Sequence, residues 1–564
     1  MTTTTHTATP HSDRPSFAEL YTPKLVTVLR EGYDTAKLRG DLIAGLTVAI
    51  VALPLSMAIA IASGVSPDRG LYTAIVGGFL VSALGGSRFQ IGGPAGAFIV
   101  LVLSTVHMHG IDGLILATML SGLMMLGIGY ARLGTFIKFI PYPVTVGFTA
   151  GIAVIIFASQ ISELLGLSLA GGEPGDLLPK LVAIAKSLPS VQPATIGVSL
   201  LTVVTIIALK RWRPRWPSML IAVLVASIAT AILALPVATI GTKFGGIPRS
   251  LPAPALPDFS MDKMIAVLPA AASFALLGSI ESLLSAVVAD GMTGRRHRSN
   301  CELVAQGYAN IGSALFGGFC VTGTIARTAT NVRSGAHGPV SGMAHSLFLF
   351  GFMLVAAPLA GYIPLAALAG VLAVVAFNMV ERNAIAALLR SSWGDAAVLG
   401  VTFLLVIFRD LTEGIVVGFA LGALLFIHRM SSAVAVEAQP AFGADDEADG
   451  NVPYDSKYAS DPDVVVYRLS GAFFFGAASA VGVTLDRIAD RRQSFILDFE
   501  AVPLLDSTAA NVIEQVAHKA EQRGIRFFVT GASPSVRRML LTHGVRPPHV
   551  HYAATIAEAR AQIP

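Results

Sequence analysis

Long apolar runs, separated by short polar turns, dominate the chain between roughly residue 41 and residue 430. Two typical runs are "DLIAGLTVAIVALPLSMAIAIASG" and "MLIAVLVASIATAILALPVATIG". Each is long enough to cross a bilayer as a helix, because a span needs about 20 apolar residues. With turns included, this region has room for about 12 to 14 such helices. The pattern therefore predicts an all-α polytopic membrane domain.

The composition and the charge distribution agree with a membrane protein. Of the 564 residues, 54% are hydrophobic and only 13% are charged, whereas soluble domains carry about a quarter charged residues. Lys and Arg collect in the N-terminal tail and in alternate loops such as "KRWRPR" and "RRHR", so the positive-inside rule predicts that both termini are cytoplasmic. The net charge of +4 therefore reports topology and gives no indication of nucleic acid binding.

The sequence pattern changes after about residue 430. An acidic linker is expected at residues 431–453, and residues 454–564 then alternate strand-like and helix-like segments. "DVVVYRLSG", "SFILDFEAV" and "IRFFVTG" have the apolar, β-branched character of buried strands. "DSTAANVIEQVAHKAEQRG" and "SPSVRRMLLTHGV" begin with capping residues and predict helices. This order predicts a small α/β domain.

Two of the apolar runs are interrupted by glycine and other small residues, "QIGGPAGAFIV" and "CVTGTIARTAT". Each is the third apolar element of its half of the membrane region, and transporters often bind substrate between two such broken helices. A helix start carries unpaired N–H groups and about half a positive charge, so two opposed starts would form a backbone cradle for an anion. The small residues at these starts are Gly93, Ala95, Gly96, Ala97, Gly323, Thr324 and Ala326. The alternative is that the glycines only allow close helix packing.

Two charged residues lie within these apolar segments, although a charge at mid-membrane costs at least about 2.5 kcal/mol. Arg327 follows the second interruption and would add a full positive charge to the cradle. Glu281, flanked by serines, is a candidate proton-coupling group or sodium ligand; the alternative is an ion pair with Arg327. Four histidines near span ends are expected at the membrane interface: His107, His109, His337 and His345.

Long motifs of the chain resemble the sulfate permease (SulP) family. They include "GGSRFQIGGPAGAF", "ESLLSAVVADGMTGRRHRSNCELVAQGYANIGSALFGG" and "TGTIARTATNVRSGA", and "LDST" opening a helix after a strand is similar to the STAS domain that follows in that family. Within the family, the sequence is most similar to bacterial C4-dicarboxylate transporters. The resemblance implies a tail at residues 1–37, then a fourteen-span domain at 38–430. Its two inverted seven-span repeats would divide into a moving core and a gate that dimerises.

The family's functional positions map onto this sequence by motif. The implied anion contacts, in the two half-helices and the first span, are Ala95, Gly96, Ala97, Gly323, Thr324, Ile325, Leu55 and Ile59. Glu281 and Ser285 match the residues that bind the coupling cation in sodium-coupled members, and glutamate in place of aspartate favours protons over sodium. In the STAS domain, Ser507 matches a phosphorylatable serine; the alternative is that Asp506 and Ser507 only cap a helix.

These observations predict a secondary active anion transporter of the bacterial inner membrane. The expected activity is proton-coupled uptake of a C4-dicarboxylate such as fumarate or succinate, or of sulfate. The expected partners are the anion, a proton (sodium second), the lipid bilayer, a second copy of the chain and a cytoplasmic protein that contacts the STAS domain. The alternatives are a sodium-coupled bicarbonate transporter, an uncoupled anion channel, and an anion sensor that signals through the STAS domain. The sequence has no nucleophile–base or metal constellation, so neither an enzyme nor a cofactor is expected.

Overall fold

The chain divides into two compact units, Met1–Phe419 and Ala420–Pro564. The computed structural model describes residues 17–137, 141–169, 174, 177–214, 216–409, 411–432, 435–438, 464–471, 473 and 494–563. The start of the expected tail and most of the expected linker lie outside these residues. The first unit is helical, and the five-stranded sheet belongs to the residues after it.

The helices of the first half of the membrane domain, α1 to α12, are Phe17–Tyr21, Lys24–Arg30, Thr35–Ala62, Pro67–Tyr72, Gly78–Leu84, Ile99–Tyr130, Gly134–Ile137, Tyr142–Leu165, Leu177–Ser187, Pro193–Trp212, Ser218–Ile232 and Ile240–Phe244. Those of the second half, α13 to α20, are Met261–Thr293, Ser299–Leu315, Ile325–Arg333, Val340–Ala360, Leu365–Met379, Arg382–Ser391, Trp393–Phe408 and Leu411–Ser432. In the described part of the chain, eight helices are long and apolar enough to cross a membrane. The count of fourteen spans stays a prediction.

The helix boundaries follow local sequence signals. The side chain of Asp34 accepts a hydrogen bond from the N–H of Lys37 at 2.8 Å and caps α3, and Ser260 caps α13 in the same way through Lys263. Such caps satisfy N–H groups that the first turn of a helix leaves without partners. Gly110 has φ +70° and ψ −173°, and α6 is therefore two helices that meet at this glycine.

Each interrupted segment consists of a two-residue strand followed by a helix start. Strand β1 is Gly92–Gly93, and α6 then opens with a 3₁₀ turn at Gly96–Phe98. Strand β2 is Thr322–Gly323, and the nine-residue helix α15 follows it. The short helix before Gly110 and α15 are the two half-helices that the glycine-rich motifs predict.

The membrane helices form two packed groups. Helices α3, α6, α13, α14, α15 and α16 pack on one another, and helices α8, α10, α11, α17 and α19 form the second group. Close packing within the first group depends on glycine, because a Cβ at Gly122 of α6 would lie 2.7 Å from the carbonyl oxygen of Gly307 in α14, and the reverse also holds. This division corresponds to the core and gate that the family resemblance implies.

The C-terminal unit contains a five-stranded sheet in the order β3-β4-β5-β6-β7. The strands are Ala435–Ala438, Val464–Ser470, Ser494–Ala501, Arg526–Thr530 and Val550–Ala553. Strand β3 is antiparallel to β4, and the other pairs are parallel. Helices α21 to α23 are Ser507–Gln522, Pro534–Thr542 and Ile556–Ala561. The three predicted strands and two predicted helices are present. Strand β3 lies within the segment that was expected to be a linker. The sequence analysis missed this strand because it is held by hydrogen bonds to β4, which the local sequence does not reveal.

The start of α21 separates the two readings of the "LDST" motif. The carboxylate of Asp506 accepts a hydrogen bond from the N–H of Ala509 at 2.8 Å, so Asp506 is the cap. Ser507 is the first residue of the helix and is exposed, with its hydroxyl 3.9 Å from the sulfur of Met539. The capping role therefore belongs to Asp506, and phosphorylation of Ser507 stays a prediction.

Candidate functional site

The two interrupted segments meet through a short antiparallel ladder. Gly92 pairs with Gly323, and Gly93 pairs with Thr322. The N–H of Thr324 also donates to the carbonyl of Ile91 at 3.0 Å. Because the strands are antiparallel, α6 and α15 leave the ladder in opposite directions, with their N-terminal ends side by side. The opposed half-helices predicted from the sequence are therefore present.

A cavity of about 280 Å³ lies between these helix starts and helices α3, α8, α13 and α17. The N–H groups of the first turns of α6 and α15 have no partners within their own helices, and these turns form part of the cavity wall. Nine of the residues predicted for the site lie on the wall: Leu55, Ile59, Ala95, Gly96, Ala97, Glu281, Thr324, Ile325 and Arg327. Residues about 230 positions apart in the chain are thus brought to one cavity, although their roles in binding stay proposals.

Gly93 and Gly323 lie elsewhere than the sequence analysis expected. Both are buried in the β1–β2 ladder, behind the cavity wall. A Cβ on Gly93 would collide with Nη1 of Arg327, and a Cβ on Gly323 would collide with the side-chain amide of Gln90. These glycines therefore make room for Arg327 and Gln90, which is a steric reason for glycine that the motif alone does not show.

Arg327 is the main positive charge of the cavity. Its side chain is 2% exposed, and Nη2 donates to the hydroxyl of Ser56 at 3.3 Å and to the carbonyl of Pro94 at 3.2 Å. Nε and Nη1 are buried and have no hydrogen-bond partner. A buried donor without a partner is costly, so Arg327, which lies on the wall of the cavity, is a candidate to donate to a bound anion.

Glu281 is the acidic residue of the same cavity. Its Oε2 atom is buried and has no hydrogen-bond partner, and no hydrogen bond joins it to Arg327. The structure therefore does not show the direct ion pair between Glu281 and Arg327 that was the alternative. The hydroxyl of Ser285 donates to Thr328 at 3.1 Å, and Ser285 is not on the wall of the cavity. Glu281 and Ser285 lie one turn apart on α13, and their role as a cation pair stays a prediction.

A buried polar network behind the cavity was not anticipated as a unit. The amide nitrogen of Gln90 donates to the hydroxyl of Ser282 at 2.6 Å and to its carbonyl at 3.1 Å. The N–H of Ile91 donates to the hydroxyl of Thr328 at 3.1 Å. These bonds fix α13 and α15 to the strand that precedes α6. In the sequence, the only sign of this network is that Gln90, Ser282 and Thr328 are polar residues within apolar or small-residue segments. Because they are far apart in the chain, the sequence alone does not show that they contact one another.

His345 is buried within the protein, and its expected position at the membrane interface stays a prediction. This histidine lies in α16 with 0% of its surface exposed, and neither ring nitrogen has a hydrogen-bond partner. Helix α16 packs against α3 of the first group and against α5. The position of a residue near the end of an apolar run does not reveal whether it is buried. The burial of His345 depends on helices from the other half of the chain.

Polar and exposed residues mark the mouth of the cavity. Thr145 and Thr149 come from the start of α8, and Asn378 and Glu381 lie at and just beyond the end of α17. Helix α10 returns alongside α8 and ends in the basic "KRWRPR" loop. The mouth is therefore at the same end of the helices as the loop that the positive-inside rule predicts to be cytoplasmic.

The family of the chain follows from sequence comparison. Residues 38–402 match the sulfate permease family, and residues 457–559 match the STAS domain. A putative sulfate transporter of Bacillus subtilis is 38% identical over 91% of this chain and 95% of its own length. The bicarbonate transporter BicA of Synechocystis is 32% identical over 89% of this chain and 90% of its own length. The more specific likeness to C4-dicarboxylate transporters stays a prediction.

Solved structures show the same architecture. Murine Slc26a9, an anion transporter solved in the inward-facing state, matches with a TM-score of 0.82 over 99% of this chain and 96% of its own, and its 18% identity makes this a likeness of fold. The transmembrane domain of a cyanobacterial BicA matches with a TM-score of 0.60 at 30% identity, over 69% of this chain and 98% of its own. The chain belongs to the sulfate permease family and is a multi-pass membrane anion transporter with a C-terminal STAS domain.

Proposed function

We propose that this transporter couples the uptake of a divalent anion, a C4-dicarboxylate or sulfate, to the entry of a proton. The observation that carries the proposal is Arg327, whose Nε and Nη1 lack partners beside the starts of α6 and α15. Each helix start contributes about half a positive charge, and Arg327 contributes one. The cavity therefore offers about two positive charges, which matches a divalent anion. We place the protein in the bacterial inner membrane with both termini cytoplasmic.

Glu281 supports a proton as the coupling ion. Its carboxylate shares the cavity with Arg327, and when ionised it would cancel about half of the positive charge available to the substrate. A bound proton removes that negative charge, so loading of proton and anion favour each other. Sodium needs several oxygen ligands, and of the predicted cation pair only Glu281 lies on the wall of the cavity.

The wall of the cavity supports a substrate with a carbon backbone. Its apolar lining includes Leu55 and Ile59 of α3, Ile152 and Ile156 of α8, and Leu277 of α13. An apolar wall contacts the methylene or vinylene carbons of a dicarboxylate, while the helix starts and Arg327 contact a carboxylate. Bicarbonate is the second candidate, since BicA proteins are among the relatives of this chain.

Transport would require the two helix groups to move against each other. The first group carries both half-helices, while α8 and α17 of the second group form the opposite wall. Such a movement would expose the anion to one side of the membrane at a time. The cavity mouth at Asn378 and Glu381 lies at the proposed cytoplasmic end, and the likeness to the inward-facing structure of Slc26a9 supports an inward-open state.

A liposome uptake panel tests the proposal. Purified full-length protein would be offered labelled fumarate, succinate, sulfate, bicarbonate and chloride, each with and without an imposed pH or sodium gradient. We expect an inward proton gradient to accelerate uptake of fumarate, succinate or sulfate by about tenfold, and a sodium gradient to have no effect. Sodium-driven bicarbonate uptake without proton-driven uptake would contradict the proposal and support the second candidate.

Two further outcomes of the same panel would also contradict it. Anion currents that exceed carrier turnover and ignore both gradients would identify an uncoupled channel. Movement of none of the five anions, together with a specific cytoplasmic partner of the STAS domain, would support a sensor.

A further inference from the structure

A second large concavity lies on the opposite side of α17 from the substrate cavity. This groove, of about 880 Å³, runs between α8, α10 and α17. Apolar side chains line most of its length, including the exposed Phe157, Leu200 and Phe377. It faces outward from the helices that form it, so hydrocarbon chains of the bilayer can enter it from the side.

One end of the groove is positively charged. Lys210 and Arg211, in the last turn of α10, line that end. Both are exposed, and among the described residues neither makes a hydrogen bond or an ion pair through its side chain. Trp212 and Trp216, which are 77% and 57% exposed, follow directly and have the position of aromatic residues at a membrane–water interface.

We propose that the groove binds an acidic phospholipid, with the acyl chains along the apolar part and the phosphate on Lys210 and Arg211. Basic residues at the cytoplasmic end of a cleft between membrane helices suit acidic headgroups. The length also fits. From Ile196 to Lys210, both on the groove wall, α10 rises roughly 21 Å at 1.5 Å per residue, and one leaflet of hydrocarbon is about 15 Å thick.

The groove shares its walls with the substrate cavity. On α17, Leu372 and Val375 face the cavity while Ala373 and Val374 face the groove, and Asn378 belongs to both walls. On α8, Ile156 lines the cavity and Phe157 lines the groove. A lipid in the groove therefore packs against the back of both helices that form the gate side of the cavity. Its effect on transport rests on the proposed function, but its binding does not.

Native mass spectrometry of the purified full chain tests binding directly. The probes are phosphatidylglycerol and phosphatidylcholine with identical acyl chains. We expect phosphatidylglycerol to be retained about tenfold more than phosphatidylcholine, and the double variant Lys210→Ala/Arg211→Ala to lose this preference. The matched control is Arg295→Ala/Arg296→Ala, which removes two exposed cations on the same proposed side but away from the groove. Equal retention of the two lipids by the native chain, or an unchanged preference in the groove variant, would overturn the proposal.

A second variant tests the apolar part of the groove without changing its charge. Val203→Trp would fill the space between α10 and α17, and we expect it to reduce retention of phosphatidylglycerol by about tenfold. If this variant retained phosphatidylglycerol as well as the native chain does, no acyl chain would occupy the groove. The same would follow if glycerol phosphate, which has no acyl chains, displaced phosphatidylglycerol as effectively as phosphatidylglycerol itself. Efficient crosslinking of two chains through Leu200→Cys in bilayers would assign the groove to a second copy and also overturn the proposal. If the chain moved no anion at all, the retention measurements would still decide the lipid site.

Discussion

Replacing Arg327 with alanine is expected to weaken anion binding by at least about tenfold while the protein still folds. The guanidinium is the only full positive charge on the described wall of the cavity, and two of its N–H donors are without partners. Hydrogen bonds to charged groups contribute about 1.5–3 kcal/mol each, and 1.4 kcal/mol is a tenfold change in affinity. The measurement is a binding isotherm with labelled fumarate and with labelled sulfate on purified protein.

Two further variants separate a binding role for Arg327 from a structural one. Arg327→Lys keeps the charge but loses the planar set of donors, so partial recovery of affinity is expected. Arg333→Ala removes an exposed arginine at the end of the same helix and should leave the isotherm unchanged. Melting temperatures of the variants report folding independently. An unaltered isotherm for Arg327→Ala, with a lowered melting temperature, would show that the residue only holds Ser56 and Pro94 in place.

Replacing Glu281 with glutamine is expected to abolish uptake driven by a pH gradient, while exchange of internal for external anion continues. Glutamine keeps the shape of the side chain but cannot bind or release the coupling proton. The native protein should take up anion faster as the outer side is acidified, because protonation of Glu281 removes the charge that opposes the anion. The variant should show the same rate at each outer pH, and uptake and exchange in liposomes measure both properties.

Glu381→Gln is the matched control for this experiment. Glu381 is an exposed acid at the mouth of the same cavity, 3.5 Å from the hydroxyl of Tyr142. Its replacement should leave the response to the pH gradient intact. Undiminished pH-driven uptake by Glu281→Gln would exclude Glu281 as the coupling group, whereas loss of exchange as well would indicate that Glu281 holds the site together.

Much of the fold was predictable because membrane and strand patterns are local. Apolar runs indicate spans, and "GGPAG" and "TGTIA" violate that pattern so clearly that they identify the half-helices. The same reasoning located Arg327 and Glu281, since charges within apolar segments are rare. The STAS helix at Ser507–Gln522 also followed from its cap and its periodic apolar face.

Other features depend on partners that are distant in the sequence. The role of Gly93 follows from the position of Arg327, and that of Gly323 from Gln90. The burial of His345 follows from the packing of α16 on α3 and α5. The reach of the Ser285 hydroxyl to Thr328 is likewise a property of the folded chain. Local pattern identifies unusual residues, but only the fold decides which of them face the cavity.

The position of a bound anion tests the central claim most directly. Crystals of the full-length protein soaked with selenate, and separately with bromofumarate, would locate the ligand by anomalous scattering. We predict a peak within hydrogen-bonding distance of the N–H groups at Ala95–Ala97 and Ile325–Ala326 and of the guanidinium of Arg327. A peak elsewhere in the membrane domain, with the space between the two helix starts unoccupied, would contradict the claim that opposed half-helices hold the substrate.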